Sequence, residues 1–506
     1  MGEHFIGIDC GTQGAKAVVV NGQTGKILSS GSSSYGLIPG LRDGAKEQHP
    51  KTWVAAMTES VREALAKAGI SSATVKGIGV SAQQHGLVVL DENGEVIRPA
   101  KLWCDTSTAS QAESLIKKLG GLKKVIALTG NGIPAGFTAS KLLWLKQHEP
   151  KNYHAIHTVL LPHDYLNYHL TGVATMEAGD ASGTGFFDTK TRGWQPKVVA
   201  AIDPELADKL PAIQPSCQPA GALLADVAKA LGLEPGTLVS AGGGDNMMGA
   251  IGTGNTKPGI ATASLGSSGA IYAYSSRPVI DPLGEVAAFC DSTGGWLPLV
   301  CTQNVTIATE LLKKALGWDN DRLTAEAGKV APGSDGLFLL PYFQGERVPN
   351  LPDARGVFFG LDSKNFTLEH FARATLEGVA MGLNYGMERL KDLGIRPKQI
   401  RLTGGGSANP LWRQILADAF DTEVAALETT EGAAYGAALQ AKWAYACSRG
   451  QRVRIQQITD AFVKVDASTR TVPNKKNAKL CRDLQQFHQK LSKANAPVFA
   501  SHAALR

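Results

Sequence analysis

The apolar positions of this chain fall into short runs that end in glycine and polar residues. Near the start, Phe5-Ile6-Gly7-Ile8-Asp9 reads as a strand, Cys10-Gly11-Thr12-Gln13-Gly14 as a turn, and Ala15-Lys16-Ala17-Val18-Val19-Val20 as a returning strand. A turn at Asn21-Gly22 leads to a third strand at Lys26-Ile27-Leu28-Ser29. Helical spacing follows over 50–68 (Trp53, Met57, Val61, Leu65), then a buried strand over 75–81, which gives a crossover after the three-stranded start. Leu87-Val88-Val89-Leu90 with the turn at Asp91-Glu92-Asn93-Gly94 predicts a further hairpin, and residues 138–148 a short amphipathic helix of structural role. At the midpoint the strand Val239-Ser240-Ala241 empties into Gly242-Gly243-Gly244 and then Asp245-Asn246. Later come a strand ending in glycines at 401–406, a helix of small residues opening at 431, and helical spacing over 473–493.

The strand-turn-strand device returns after the midpoint. Ile260–Leu265, Gly266-Ser267-Ser268-Gly269 and Ala270–Tyr274 repeat its form, with a Gly-(Ser/Thr)-x-Gly turn in each copy about 255 residues apart. Repetition on that scale predicts a duplicated domain, each half contributing one phosphate-gripping hairpin to a cleft between them. The expected division is 1–246 for an N-terminal domain with the first hairpin and the acceptor site, and 247–506 for a C-terminal domain with the second hairpin and the nucleotide site.

Composition narrows the function. A chain of 506 residues accommodates two large domains, and its net charge of +6 is small for that length, with no long basic run. That argues against nucleic acid as the main partner and suits small anionic ligands. Seven cysteines are scattered without a C-x-x-C pair, so they read as reduced thiols and not as a disulfide frame or zinc site. His154, His157, His163 and His169 lack a carboxylate–histidine pattern on one helix face, and surface or satisfied histidines are expected. No signal design opens the sequence and no run approaches about 18 apolar residues, so a cytoplasmic location is expected. Neither G-x-x-x-x-G-K-[ST] nor a strict G-x-G-x-x-G occurs, which removes P-loop and plain dinucleotide readings.

The candidate chemistry sits where strands end. Asp9 closes the first strand before a turn whose backbone amides and Thr12 hydroxyl can cradle a phosphate, while the carboxylate can hold the accompanying hard cation. Asp245, delivered by glycines to a strand end, suits a general base; an Asp hydrogen-bonding its own turn is the plainer alternative. Gln83-Gln84-His85-Gly86 is a polar cluster at a strand end, where open α/β sheets place ligand contacts. In Leu102-Trp103-Cys104-Asp105 an aromatic face and a carboxylate suit a polyol, the ring against C–H groups and the acid accepting from hydroxyls, although a lone Trp is commonly core. The turn Gly404-Gly405-Gly406 lets a flat ring or phosphate press against backbone and is assigned to nucleotide.

These features together resemble the FGGY carbohydrate kinases. Gly136-Phe137-Thr138-Ala139-Ser140-Lys141-Leu142-Leu143-Trp144-Leu145-Lys146-Gln147-His148 is similar to the first signature of that family. Gly356–Leu361 with His370–Gly378 is similar to the second. The resemblance covers roughly residues 5–440, and the runs Gln84-His85-Gly86, Gly242–Asn246 and Pro341–Arg347 are most similar to the xylulose-phosphorylating branch. It implies an α/β fold of duplicated actin-like (ribonuclease H-like) ATPase domains flanking a central cleft. ATP and Mg²⁺ are the implied cofactors, and phosphorylation of D-xylulose to D-xylulose 5-phosphate the implied reaction. Other ketoses or polyols (ribulose, glycerol, gluconate), or an actin-like ATPase without sugar, are the alternatives. By the same resemblance Asp245 is the base and Asp9 holds the metal, while Gln84, His85, Trp103, Asp105 and Asn246 bind sugar. Thr12, Gln13, Gly266, Ser267 and Ser268 surround the phosphates, and Gly405, Gly406 and Asn409 meet the adenosine side. The implied partners are the sugar and ATP, without nucleic acid or membrane, and a homodimer is admitted.

Overall fold

The computed structural model describes residues 2–505. Two compact units interleave along the chain. The first comprises residues up to Lys257 with Tyr274–Pro298 and Glu431–Val463; the second comprises Pro258–Ala273, Leu299–Thr430 and Lys464 onward. A linear division at 246/247 therefore cuts across stretches that packing keeps together, since 247–257, 274–298 and 431–463 all lie with the first unit.

In the first unit His4–Cys10 pairs antiparallel with Gly14–Asn21, which pairs antiparallel with Ile27–Ser34. On its other edge His4–Cys10 runs parallel to Val75–Ala82, and that strand runs parallel to Leu238–Ser240. The sheet is sandwiched by helices, and its core gathers Ile6, Ile8, Val19, Trp53, Met57, Val61, Ile78, Val80 and Val239. The helix Pro50–Ala68 follows the predicted spacing, with Trp53, Met57 and Val61 buried and a left-handed Gly69 ending it.

The second unit repeats the arrangement. Ile260–Leu265 pairs antiparallel with Gly269–Ala273 and that strand with Trp296–Thr302, while parallel neighbours Gln399–Thr403 and Glu423–Ala426 extend the other edge. Strand order and direction match the first sheet, as the repeated hairpin predicts. Two expectations need adjustment. The helix Thr138–His148 has little exposed face: Thr138 through Leu142 are buried, with Lys141 among them. The final helix runs Lys475–Ala503, past both the predicted end at 493 and Pro497, because buried Phe499 gives its last turns something to pack against.

The helix Gly432–Ser448 fixes the geometry of the first unit. It lies across the helix Asp245–Gly252 and the two central strands at backbone distance. A Cβ on Gly436 would overlap the Met248 carbonyl oxygen, and one on Gly252 would overlap that of Gly432. Gln440 adds a polar clamp, accepting from the Gly242 N–H at 2.8 Å and donating to the Gly242 carbonyl at 2.9 Å. Gly436→Val should therefore destabilise the protein by about 1–3 kcal/mol or more through overpacking. Gly432→Ala, whose added methyl meets nothing within 4 Å, should be neutral or stabilising by about 0.4–1 kcal/mol. Urea denaturation of both variants checks the contrast.

Candidate active site

Asp9 and Asp245 are brought to the same sheet end by register. Asp9 pairs with Ser81 on one side, and Gly243 pairs with the same Ser81 on the other. Gly242, at φ +71, turns the chain out of Leu238–Ser240 so that Gly243-Gly244 can rejoin the sheet. Asp245 is then the first residue of the helix Asp245–Gly252. A helix N-terminus favours an anion, yet the Asp245 carboxyl is pushed up to about 7. Burial is the main cause, the Asp9 charge comes next and the Asp180 charge adds to it, together outweighing the Asn246 hydrogen bonds. Asp9 is likewise raised to about 6, chiefly by burial, against a Ser81 hydroxyl that donates at 2.8 Å and the nearby Lys16 charge. Lys16 is itself paired with Glu431 at 2.9 Å.

Around Asp245 lies a set of amides. Asn246 Nδ2 donates to Asp245 Oδ1 and to Gln84 Oε1, both at 3.0 Å, and Gln84 Nε2 donates to Asp180 Oδ1 at 3.4 Å. His85 follows in a left-handed conformation, φ 65, which a non-glycine residue adopts only under constraint. The constraint is visible. Its carbonyl accepts from Lys141 Nζ at 2.6 Å and from the Thr138 hydroxyl at 3.2 Å, its Nδ1 meets the Gly183 carbonyl at 2.9 Å, and its ring stacks on Phe137 at 4.4 Å.

Trp103 is half-buried, and its Nε1 donates to the Thr12 hydroxyl at 2.9 Å. Thr12 in turn donates to Gln83 Oε1 at 3.2 Å, so the indole and the first turn form one unit. Asp105 departs from expectation. It is fully buried, and its carboxylate accepts from the Lys46 amide, the Ser107 amide and hydroxyl, and Lys101 Nζ. With its lone pairs taken by the fold, it braces the loop that carries Trp103 and offers no oxygen to a polyol.

The glycine turns sit as predicted at strand ends. Gln13, Ser267 and Ser268 are exposed, with Thr12 and Gly266 half-buried beside them. Gly405 and Gly406 lie in the short turn Gly405–Ala408, held by Gly404 at φ +83 against Leu265. Asn409 is the cap of the helix Pro410–Phe420: its side chain accepts from the Trp412 amide at 3.1 Å and donates to Thr324 at 2.8 Å. It shapes the glycine turn with a side chain already engaged.

Several participants were not legible as such. Lys141, read as part of a structural helix, is the buried cation that clamps His85, and burial pushes its ammonium down to about 7. Gln48 donates to the Thr12 and Gly36 carbonyls and accepts from Trp53 and Gln83. His163 is fully buried, with Nδ1 bonded to Asp180 at 2.6 Å and Nε2 2.9 Å from an Asp164 oxygen. Burial alone would strip its proton, but the two carboxylates prevail and hold it well above the usual 6.5. Among the described residues no group of three or more His, Cys, Asp or Glu side chains forms a metal cage, and no helix is long and apolar enough to cross a membrane.

Residues 4–252 match the N-terminal domain of the FGGY family of carbohydrate kinases, and residues 263–445 match its C-terminal domain. The chain belongs to that family. The FGGY kinases share the actin-like ATPase fold, which accounts for the two sheets of equal strand order. The protein is accordingly a sugar kinase, with ATP as the phosphoryl donor. It is 43% identical to a xylulose kinase of Haemophilus influenzae over 476 residues, spanning 93% of this chain and 95% of the relative. The solved structure of a xyloylose kinase from Brucella ovis is similar, with a TM-score of 0.89 and 30% identity over 98% of this chain and 100% of that one. A gluconate kinase from Lactobacillus acidophilus reaches a TM-score of 0.91 at 25% identity over 99% and 100% of the two chains. The backbone is thus common to kinases of different acceptors.

The raised Asp245 carboxyl has a consequence for stability. Its folded value of about 7 exceeds the ordinary 3.8, so folding binds a proton between those limits and stability falls as pH rises through that window. Asp245→Asn should therefore melt higher than the parent at pH 8, by on the order of a degree or more, with the difference shrinking toward pH 4. Melting temperatures measured at the two pH values test this.

Proposed function

We propose that the protein transfers the γ-phosphoryl group of ATP to D-xylulose, giving D-xylulose 5-phosphate, with Asp245 as general base. The observation that carries this reading is Asp245 itself: a carboxyl raised to about 7, with one oxygen held by Asn246 and the other without a hydrogen-bond partner among the described residues. A base whose pKa lies near neutrality is matched to accepting a hydroxyl proton. As the sugar oxygen attacks phosphorus, the new O–P bond forms, the bond to ADP breaks, and the hydroxyl proton passes to the free oxygen of Asp245. The transition state is loose and its charge is spread over oxygens, so alignment matters more than covalent help.

Asn246, His85 and Trp103 are assigned to the sugar, with Gln84 beside them. Thr12, Gln13, Gly266, Ser267 and Ser268 are assigned to the phosphates, and Gly405 and Gly406, with the turn that Asn409 caps, to the adenosine side. Asp9 fits a magnesium ion: its carboxyl is raised by burial and the Glu431 charge, that of Asp245 by burial and the Asp9 charge, and such groups are the oxygen donors a hard divalent cation relieves, Mg²⁺ being ordinarily held by one or two carboxylates plus phosphate oxygens. When bound, it would neutralise charge developing on the phosphates. The choice of xylulose is supported by the Haemophilus influenzae relative.

A coupled assay over ketopentoses, glycerol and gluconate tests the acceptor, with D-xylulose expected to give the highest kcat/KM. ATP hydrolysis indifferent to every sugar would point to an actin-like ATPase and overturn the reading. Asp245→Ala should lower kcat by about 10²–10⁴-fold with sugar binding by calorimetry largely kept; an unimpaired kcat would remove Asp245 from the base role. In the parent enzyme kcat should fall as pH drops below about 7, because the base becomes protonated. Trp103→Ala should raise KM for sugar more than for ATP. Trp103→Phe keeps an aromatic face and loses the bond to Thr12, so there the larger change should be in KM for ATP.

A further inference from the structure

The amides beside Asp245 are arranged with a direction. At one end stands Asp180, fully buried, with Oδ2 held by His163 Nδ1 at 2.6 Å. Its Oδ1 accepts from Gln84 Nε2 at 3.4 Å. Gln84 is also buried, and with its NH₂ turned to Asp180 its carbonyl faces the other way, accepting from Asn246 Nδ2 at 3.0 Å. The same Nδ2 donates its second hydrogen to Asp245 Oδ1 at 3.0 Å. Reversing Gln84 would set a carbonyl against the Asp180 oxygen and an NH₂ against an NH₂. Reversing Asn246 would set its oxygen against two acceptors at once. Asp180, itself held by His163, therefore fixes Gln84, and Gln84 Oε1 acts together with Asp245 Oδ1, which also accepts the Asn246 backbone N–H, to fix Asn246.

We propose that His163, Asp180 and Gln84 form an orientation relay that commits Asn246 to presenting only its carbonyl oxygen to the acceptor sugar, so that the enzyme demands a hydroxyl donor at that position. Both Nδ2 hydrogens are used internally, and Oδ1 has no hydrogen-bond partner among the described residues. A site of this kind accepts a hydroxyl and rejects a group that can only accept, such as fluorine, because two acceptors then face each other without a hydrogen. Asp180 and His163 touch neither sugar nor nucleotide in this scheme; they are positioning residues that act through Gln84. The inference rests on the assignment of Asn246 to the sugar and deepens it by stating the polarity of that contact.

The test uses the full-length enzyme and a set of deoxyfluoro analogues of D-xylulose, with fluorine replacing in turn each hydroxyl other than the one phosphorylated. For the parent, one position should stand out by its loss of kcat/KM, and Asn246→Ala should abolish that penalty, identifying the hydroxyl that faces Asn246. Gln84→Met, similar in volume and without a donor, should lower the fluorine penalty at that position by at least about tenfold while leaving KM for ATP within about twofold. Asp180→Asn should do the same; if its effect on the buried His163 prevents folding, Gln84→Met decides. A structural role alone would depress all analogues equally and leave the penalty intact. Retention of the full penalty in Gln84→Met, with its loss in Asn246→Ala, overturns the relay. A penalty unchanged in Asn246→Ala at every position overturns instead the placing of Asn246 against the sugar, and the relay with it.

Discussion

The close crossing of the helices Asp245–Gly252 and Gly432–Ser448 is the constraint on which the first unit depends. Two glycines let the backbones meet where any side chain would hold them apart, and Gln440 then clamps Gly242 from the same helix. Because Asp245 is the first residue of the crossed helix, the depth of that packing sets its position at the sheet end. Close packing resists small displacements, so a site built on this crossing is held by backbone and not by flexible side chains. The second hold is register, which puts Asp9, Ser81 and Gly243 abreast.

Held there, Asp245 is raised by burial and the Asp9 charge, and Asp9 by burial and the Glu431 charge. Each is raised by burial first and by neighbouring carboxyls afterwards, and the favourable end of a helix does not cancel this. Such an arrangement opposes folding at neutral pH and is the kind of local penalty that functional sites retain. It suits both chemistry that needs a base near neutrality and binding of a cation that carries phosphate. The surroundings are strained in the same sense: His85 keeps a left-handed backbone because Lys141, Thr138, Gly183 and Phe137 hold it from several sides.

The turns carrying Thr12 and Ser267, proposed for the phosphates, are short and repeat between units, which suits a ligand that asks mainly for backbone amides and hydroxyls. The proposed acceptor side draws on five separate stretches around residues 48, 84, 103, 141 and 180, tied by side-chain hydrogen bonds. Changes of substrate are thus open to single substitutions on that side without disturbing the sheets, in keeping with one backbone serving a gluconate kinase and a xyloylose kinase alike.

Local pattern alone determined the strands, the repeated hairpin, the glycine turns and the two carboxyls that register brings to one sheet end, because each of these is written in consecutive residues with a fixed period or a fixed turn chemistry. The family followed from the same runs. Tertiary structure decided which polar side chains are spent on the fold. Asp105 and Asp245 are both acids near glycine or aromatic residues in sequence, yet one is saturated by Lys101, Lys46 and Ser107 while the other keeps an oxygen free. Lys141 looked like an ordinary helix residue and the pattern left His163 open between surface and satisfied, because their partners, His85 and Asp180, lie 56 and 17 positions away. Hydrogen-bond satisfaction is a property of neighbours in space, and a one-dimensional pattern carries no record of neighbours brought together by folding.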